Sequence, residues 1–233
     1  MNSPNPSRAG VDKMFDRICR HYDLFNRISS FGLDKSWRQK LALALKDEKE
    51  LRVLDIACGT GDVLLSLFKN GCDISKAAGI DISAKMLEIA KGKLSGYKTD
   101  LKVCDVADIS FPDNEFDVVT CAFGIRNFSD LQAGLNEMFR VLKPAGKLLI
   151  LEFSIPQNCL LRALFLFYIK YIIPVLGKIL TGDFQPYHYL SSTIRTFPSG
   201  EKFCQILQST SFAEIKMQRF TFGAVTLYSA IKP

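Results

Sequence analysis

From Leu51 onward, short apolar runs alternate with longer stretches whose apolar positions recur at helical spacing. A parallel sheet with crossover helices reads this way. The runs predict strands near 52–56, 78–81, 100–103, 116–122 and 147–152, and the intervening stretches predict helices over 61–70, 84–95 and 131–142. Ser83 is placed to cap the second of these helices, and Ser129 or Asp130 the third, whose polar side carries Glu137 and Arg140. Lys143, Pro144, Ala145 and Gly146 then read as that helix's end. Residues 154–198 break the rhythm with a long apolar, aromatic insertion. A short helix near 199–209 follows, and EIKMQRF and GAVTLYSAI (214–220 and 223–231) are spaced for an antiparallel hairpin. Ahead of Leu51, MFDRICRHYDLFNRI is amphipathic and helical, suited to cover the ligand edge of the sheet.

These patterns divide one domain over 1–233 into a helical cover (1–50), an α/β core (51–153), the apolar insertion (154–198) and a terminal helix with hairpin (199–233). With 48% hydrophobic residues, a chain of this size buries a full core, which excludes general disorder. The seven cysteines are odd in number and form no CxxC pair, which fits a reduced setting with cysteines as small core fillers, as Cys121 in VVTCAF. Residues 1–10 lack the apolar region of a secretory signal, so a cytoplasmic location is expected. The run from Cys159 to Leu180 is interrupted by Arg162, Lys170 and Pro174, and is expected to lie on a membrane rather than cross it. From Ser154 to the end, eight Lys/Arg stand against three Asp/Glu, so +5 of the total +6 lies in the last third. A basic, apolar end favours the anionic inner face of a membrane; nucleic acid is not expected without a dense Lys/Arg cluster. A homodimer is compatible with the sequence.

The strongest motif is VLDIACGTGD, Val53 to Asp62, where a buried strand turns into a helix. Gly59 and Gly61 let a ligand approach the backbone at the carboxyl end of the first strand. A dinucleotide needs a third glycine where Leu64 stands, and Asp62 would repel its pyrophosphate. S-adenosylmethionine fits better, because Asp55 or Asp62 can accept from a methionine ammonium. Asp81, at the end of AGID, can accept from both ribose hydroxyls; Asp105, after LKVC, is placed for an adenine amino group, with Val106 packing on the ring.

Over nearly its whole length the chain resembles the ubiquinone/menaquinone biosynthesis C-methyltransferases of the UbiE/MenG type. The resemblance is carried by MFDRICRHYDLFNRISSFGLDKSWR, by VLDIACGTGD, by FDVVTCAFGIRNFSD running into EMFRVLKPAGKLLILEFSIP, and by Pro174 to Ile194. It implies a Rossmann-like class I S-adenosylmethionine methyltransferase fold, α/β, with a mostly parallel seven-stranded sheet, an antiparallel C-terminal hairpin and a helical cover. It also implies methyl transfer to a ring carbon of a polyprenylated hydroquinone, demethylmenaquinol first and a ubiquinone-pathway benzoquinol as the alternative. Its cofactor residues fall on Thr60, Asp81, Asp105 and Val106. Two departures are visible: Ala145 stands where the family commonly has glycine, which matters little if φ stays negative, and Ala122 where some relatives have serine.

A ring carbon is a poor nucleophile until a neighbouring phenol loses its proton, so catalysis needs proton removal and alignment, and a cation near that oxygen would lower the phenol's pKa. Arg126 in FGIRN is the first choice, with Tyr22 or Asp23 relaying the proton and Asn26 and Asn127 binding the quinol oxygens. Leu161, Leu164, Phe165, Phe167 and Tyr168 offer apolar surface for the isoprenoid tail, with Phe165 and Tyr168 as the substrate contacts. His21 and His188 have no partners at ligand spacing, and no metal is expected.

Overall fold

The computed structural model describes residues 10–233. Seven strands form one sheet: β1 (Leu51–Ile56), β2 (Ile74–Asp81), β3 (Thr99–Val103), β4 (Phe116–Ala122), β5 (Leu142–Phe153), β6 (Ala213–Phe220) and β7 (Val225–Ile231). Their order is β3-β2-β1-β4-β5-β7-β6, parallel through β5 and antiparallel for β7 and β6. The chain moves outward from β1 to β3 and then returns to the other side of β1 as β4, so the β1/β4 boundary is the topological switch point where such sheets bind ligands.

Alternation along the strands sorts side chains to two faces. Leu54, Ile56, Val119 and Cys121 pack with α5 (Leu131–Val141) and α9 (Glu201–Ser209) on one side. Val53, Val118, Leu149 and Leu151 pack with α2 (Leu33–Leu43) and α3 (Asp62–Lys69) on the other. The two central helix caps are as expected: Ser83 accepts from Met86 N at the start of α4 (Ala84–Lys93), and Asp130 accepts from Ala133 N at the start of α5.

Three sequence expectations need correction. β2 begins at Ile74 rather than 78; Ser75 and Lys76 interrupt the apolar run, and the strand is fully buried only from Ala77 to Ile80. Lys143 to Gly146 do not form the end of a helix. α5 stops at Val141, Leu142 already pairs with Phe116, and the next four residues bulge before Lys147 pairs with Val118. Inside that bulge Ala145 takes φ +62°, not the negative value expected, with its N–H donated to Lys232 O at 2.8 Å. Alanine there bears a left-handed strain that glycine would not.

The cover and the insertion pack together. α1 (Val11–Ser29) buries Val11, Ile18 and Phe25, seven residues apart, and lies against α4 and α7 (Ile173–Thr181). α6 (Cys159–Phe167) and α7 are joined by a wider π turn over Tyr168–Ile172 into one continuous helix, Cys159–Thr181, with Pro174 accommodated at the start of α7. By length and composition alone this helix is sufficient to cross a membrane. One stripe of it is claimed by the protein, however: Ile169 and Ile173 pack with Phe25 and with Tyr187 of α8 (Gln185–Thr196). At Gly177 the tyrosine ring lies so close that a Cβ would sit 1.9 Å from Tyr187 Cδ2.

Candidate active site

At the carboxyl ends of β1, β2 and β4 the backbone turns sharply. Ala57 and Phe123, which directly follow β1 and β4, take φ of +51° and +58°, and Gly61 takes +79°, where a Cβ would approach Leu94 Cδ1 to 2.9 Å. A bulky residue at positive φ is strained, and strain of this kind concentrates at functional sites.

Two cavities open at this edge. The smaller, about 150 Å³, is lined by Gly59, Asp81, Asp105, Val106, Ala122 and neighbours. Asp81 is oriented from both sides: Oδ2 accepts from Gly59 N and Oδ1 from Ser83 N, each at 2.8 Å. Burial pushes its carboxyl up, and those two N–H groups partly offset the shift. Each oxygen keeps a lone pair for a ribose hydroxyl. Asp105 Oδ1 accepts from Ala107 N at 2.9 Å, which fixes the carboxylate beside the apolar wall of Val106.

The remaining residues of the glycine turn are engaged within the protein. Thr60 Oγ1 donates to Asp23 Oδ1 at 2.6 Å, and Lys93 Nζ bonds Asp23, Asp62 and Thr60 together. Burial alone would raise the Asp62 carboxyl, but Arg38 and Lys93 hold it below its ordinary range. Asp23 is therefore a latch between α1 and the glycine turn and lines neither cavity, while Tyr22, one residue earlier and about 100° around the helix, lines both. Asp55 is wholly buried; Thr120 donates to its Oδ1 at 2.6 Å, and Oδ2 has no hydrogen-bond partner among the described residues. Burial pushes this carboxyl up to about 7, with the Thr120 hydroxyl and Arg38 pulling against it. Of the expected cofactor residues, Gly59, Asp81, Asp105 and Val106 line the smaller cavity, whereas Asp55, Thr60, Gly61 and Asp62 line neither cavity.

The larger cavity, about 250 Å³, is predominantly apolar and runs between α1, α2, the Cys159–Thr181 helix and α8. Arg126, Tyr22, Asn26, Asn127, Phe165 and Tyr168 all line it. Arg126 is 7% exposed and ion-paired at 2.8 Å with Glu152, which is wholly buried at the end of β5; its Nη1 also donates to Phe123 O. The guanidinium carbon lies 5.5 Å from the Phe153 ring centre. Burial raises the Glu152 carboxyl, and the Arg126 charge opposes that rise. Burial likewise raises the Tyr22 phenol, partly countered by Arg126 and by the Asn26 side chain, so Tyr22 is neutral near pH 7. Asn127 Oδ1 is buried and has no hydrogen-bond partner among the described residues. Tyr168 donates to Ser29 O at 2.7 Å.

Phe15, Tyr22, Phe123 and Asn127 belong to the walls of both cavities. Sequence reading placed Tyr22 and Asn127 here and missed Phe123, as well as Arg38, Lys93 and Glu152. The one visible signal for Glu152 is a carboxylate ending the apolar run LLILEF. Of the five residues expected to meet an isoprenoid tail, only Phe165 and Tyr168 line the cavity. Leu164 and Phe167 face outward, because positions 160, 164, 167 and 171 share the opposite stripe of the helix.

The family model described as the ubiE/COQ5 methyltransferase family matches residues 2–232. A demethylmenaquinone methyltransferase of Bacteroides fragilis is 40% identical over 95% of this chain and 92% of its own length. A protein of Geotalea daltonii named ubiquinone/menaquinone biosynthesis C-methyltransferase UbiE is 39% identical over 95% and 96%. Among solved structures, a SAM-dependent methyltransferase of Thermotoga maritima superposes with a TM-score of 0.66 at 18% identity, covering 95% of this chain and 99% of that one.

Proposed function

The chain belongs to the ubiE/COQ5 methyltransferase family and is an S-adenosylmethionine-dependent methyltransferase, and on that premise we propose that its acceptor is a ring carbon of a polyprenylated hydroquinone, demethylmenaquinol foremost. The observation that carries this reading is the shared wall of Phe15, Tyr22, Phe123 and Asn127, which joins a shelf bearing the Asp81 and Asp105 carboxylates to an apolar chamber lined by a buried arginine, Arg126.

Bound S-adenosylmethionine supplies an electrophilic methyl group on sulfur. The protein contributes position and charge. Arg126, fixed by Glu152 and the Phe123 carbonyl, lowers the pKa of a quinol hydroxyl beside it, and the resulting phenolate makes the adjacent carbon nucleophilic. Tyr22 stays protonated and relays the departing hydroxyl proton through its own hydroxyl to water, and the proton on the methylated ring carbon leaves to water afterwards, which restores the aromatic ring. Asn127 offers its unpartnered oxygen to a quinol hydroxyl. Aromatic walls from Phe25, Trp37, Phe123 and Phe153 exclude water and would hold the ring against the wall shared with the cofactor cavity.

The tail needs an exit, and the cavity supports one toward a bilayer. Phe31 lines the cavity mouth, is 82% exposed and lies 6.2 Å from the Tyr168 ring. Next to it, the outer stripe of the Cys159–Thr181 helix exposes Leu160, Leu164, Phe167, Tyr171, Val175 and Ile179, with Lys170 and Lys178 on the same helix. Lying in the interface at the inner face of the cytoplasmic membrane satisfies this outer stripe while Ile169 and Ile173 keep their protein contacts. A benzoquinol acceptor is the second reading, favoured by the name carried by the Geotalea daltonii relative. Incubating the pure protein with methyl-labelled S-adenosylmethionine and reduced polyprenyl naphthoquinol, with the benzoquinol in parallel, tests both. Label in the naphthoquinol is expected, and label in neither product rejects the quinol assignment.

A further inference from the structure

A second buried guanidinium lines the larger cavity beside Phe123, the residue whose ring belongs to both cavity walls, and does not itself line the smaller one. Arg38 of α2 is 8% exposed, lines the larger cavity, and has its guanidinium carbon 6.0 Å from the centre of the Phe123 ring. It donates through Nη1 to Asp34 Oδ2 at 2.7 Å and to Asp34 O at 3.3 Å, and the same nitrogen lies 3.5 Å from Oδ2 of Asp62 at the start of α3. Among the described residues, its Nε and Nη2 make no hydrogen bond. Those two nitrogens form the edge of the guanidinium that fits a carboxylate with two parallel bonds.

The surroundings indicate which carboxylate. Asp23, Asp55 and Asp62 crowd the glycine turn, a setting that suits the ammonium of a methionine moiety and repels its carboxylate. Lys93 directs its ammonium to Asp23, Asp62 and Thr60. Arg38 is near enough for its charge to act on both Asp55 and Asp62. We propose that Arg38 receives the methionine carboxylate of S-adenosylmethionine on its Nε and Nη2 edge, so that the cover helix α2 completes the cofactor site. This rests on the cofactor assignment above and not on the identity of the quinol.

Decarboxylated S-adenosylmethionine keeps the adenine, ribose, sulfonium and amine and lacks only the carboxylate, so it is the deciding probe. Titration calorimetry on the purified protein is expected to show wild type binding this compound about 10- to 100-fold more weakly than S-adenosylmethionine. R38Q loses about the same factor for S-adenosylmethionine and stays within about twofold for the decarboxylated compound. R38K, which keeps a charge beside Asp34 and removes the two-pronged edge, falls between them, and it decides by the same criterion if R38Q does not fold. Equal losses for both compounds, or a wild type that does not discriminate, overturn the proposal. A wild type that binds neither compound overturns the cofactor assignment and this proposal with it.

Discussion

The two cavities that meet at Phe123 are built by opposite means. The cofactor shelf is assembled from strand ends, where carboxylates such as Asp81 and Asp105 are fixed by backbone N–H groups no more than two residues away or on the adjacent turn. The apolar chamber is assembled from helices more than a hundred residues apart in sequence, with Phe25 and Trp37 meeting Phe165 and Tyr187 only through tertiary packing. On the proposed reading the first would hold the cofactor by directed hydrogen bonds and the second the quinol mainly by shape and exclusion of water, so substitutions should separate the two.

The largest separation is expected at Arg126. Arg126→Ala should lower kcat by about 100- to 1000-fold while leaving the calorimetric Kd for S-adenosylmethionine within about twofold. Because this leaves Glu152 buried and unpaired, R126A/E152A should regain stability without regaining rate. A matching loss of cofactor affinity would move Arg126 to the other side of the wall. Next, Asp81→Ala should weaken S-adenosylmethionine by about 10- to 100-fold and leave the quinol KM at saturating cofactor unchanged, since it removes the acceptor for Gly59 N and Ser83 N along with the ribose contact.

Smaller effects test how each side is supported. Gly177→Ala drives a methyl group into Tyr187 and should cost about 1–3 kcal/mol in denaturant unfolding. It should raise the quinol KM and leave the cofactor Kd alone. Asp55 gives the mildest signature. Its folded pKa of about 7 is raised above the unfolded value, so its contribution to stability is complete below about pH 4 and is lost as pH rises through 7. Between pH 6 and 8 the wild type should lose about 1.4 kcal/mol relative to Asp55→Asn, measured by urea unfolding at stepped pH. A loss of stability toward acid across the same interval would contradict it.

The same contrast explains what could be read from the sequence. Asp81, Asp105 and the glycine turn are legible because strand-end geometry is local: a strand, a turn and a carboxylate at a fixed offset suffice. Arg38 and Glu152 are not, because a lone charge on a helix or at a strand end usually faces water, and only the docking of α2 and the central place of β5 bury them. Leu164 and Phe167 were assigned to the tail by composition, whereas the stripe of their helix that faces inward is the one carrying Ile169 and Ile173, packed on Phe25 and Tyr187. Ala145 shows the same limit for backbone: its left-handed φ follows from the bulge between Leu142 and Lys147, a register set by β4 across the sheet.

A structure with S-adenosylhomocysteine and a reduced naphthoquinol bound together tests the central claim most directly. The account predicts ribose on Asp81, adenine against Val106, and the sulfur facing the wall of Phe123 and Asn127, with the acceptor carbon roughly 4–5 Å across that wall, a gap one methyl group spans, and a ring oxygen within hydrogen-bond reach of Arg126. A sulfur turned toward solvent, or a quinol ring seated away from Arg126, would contradict it.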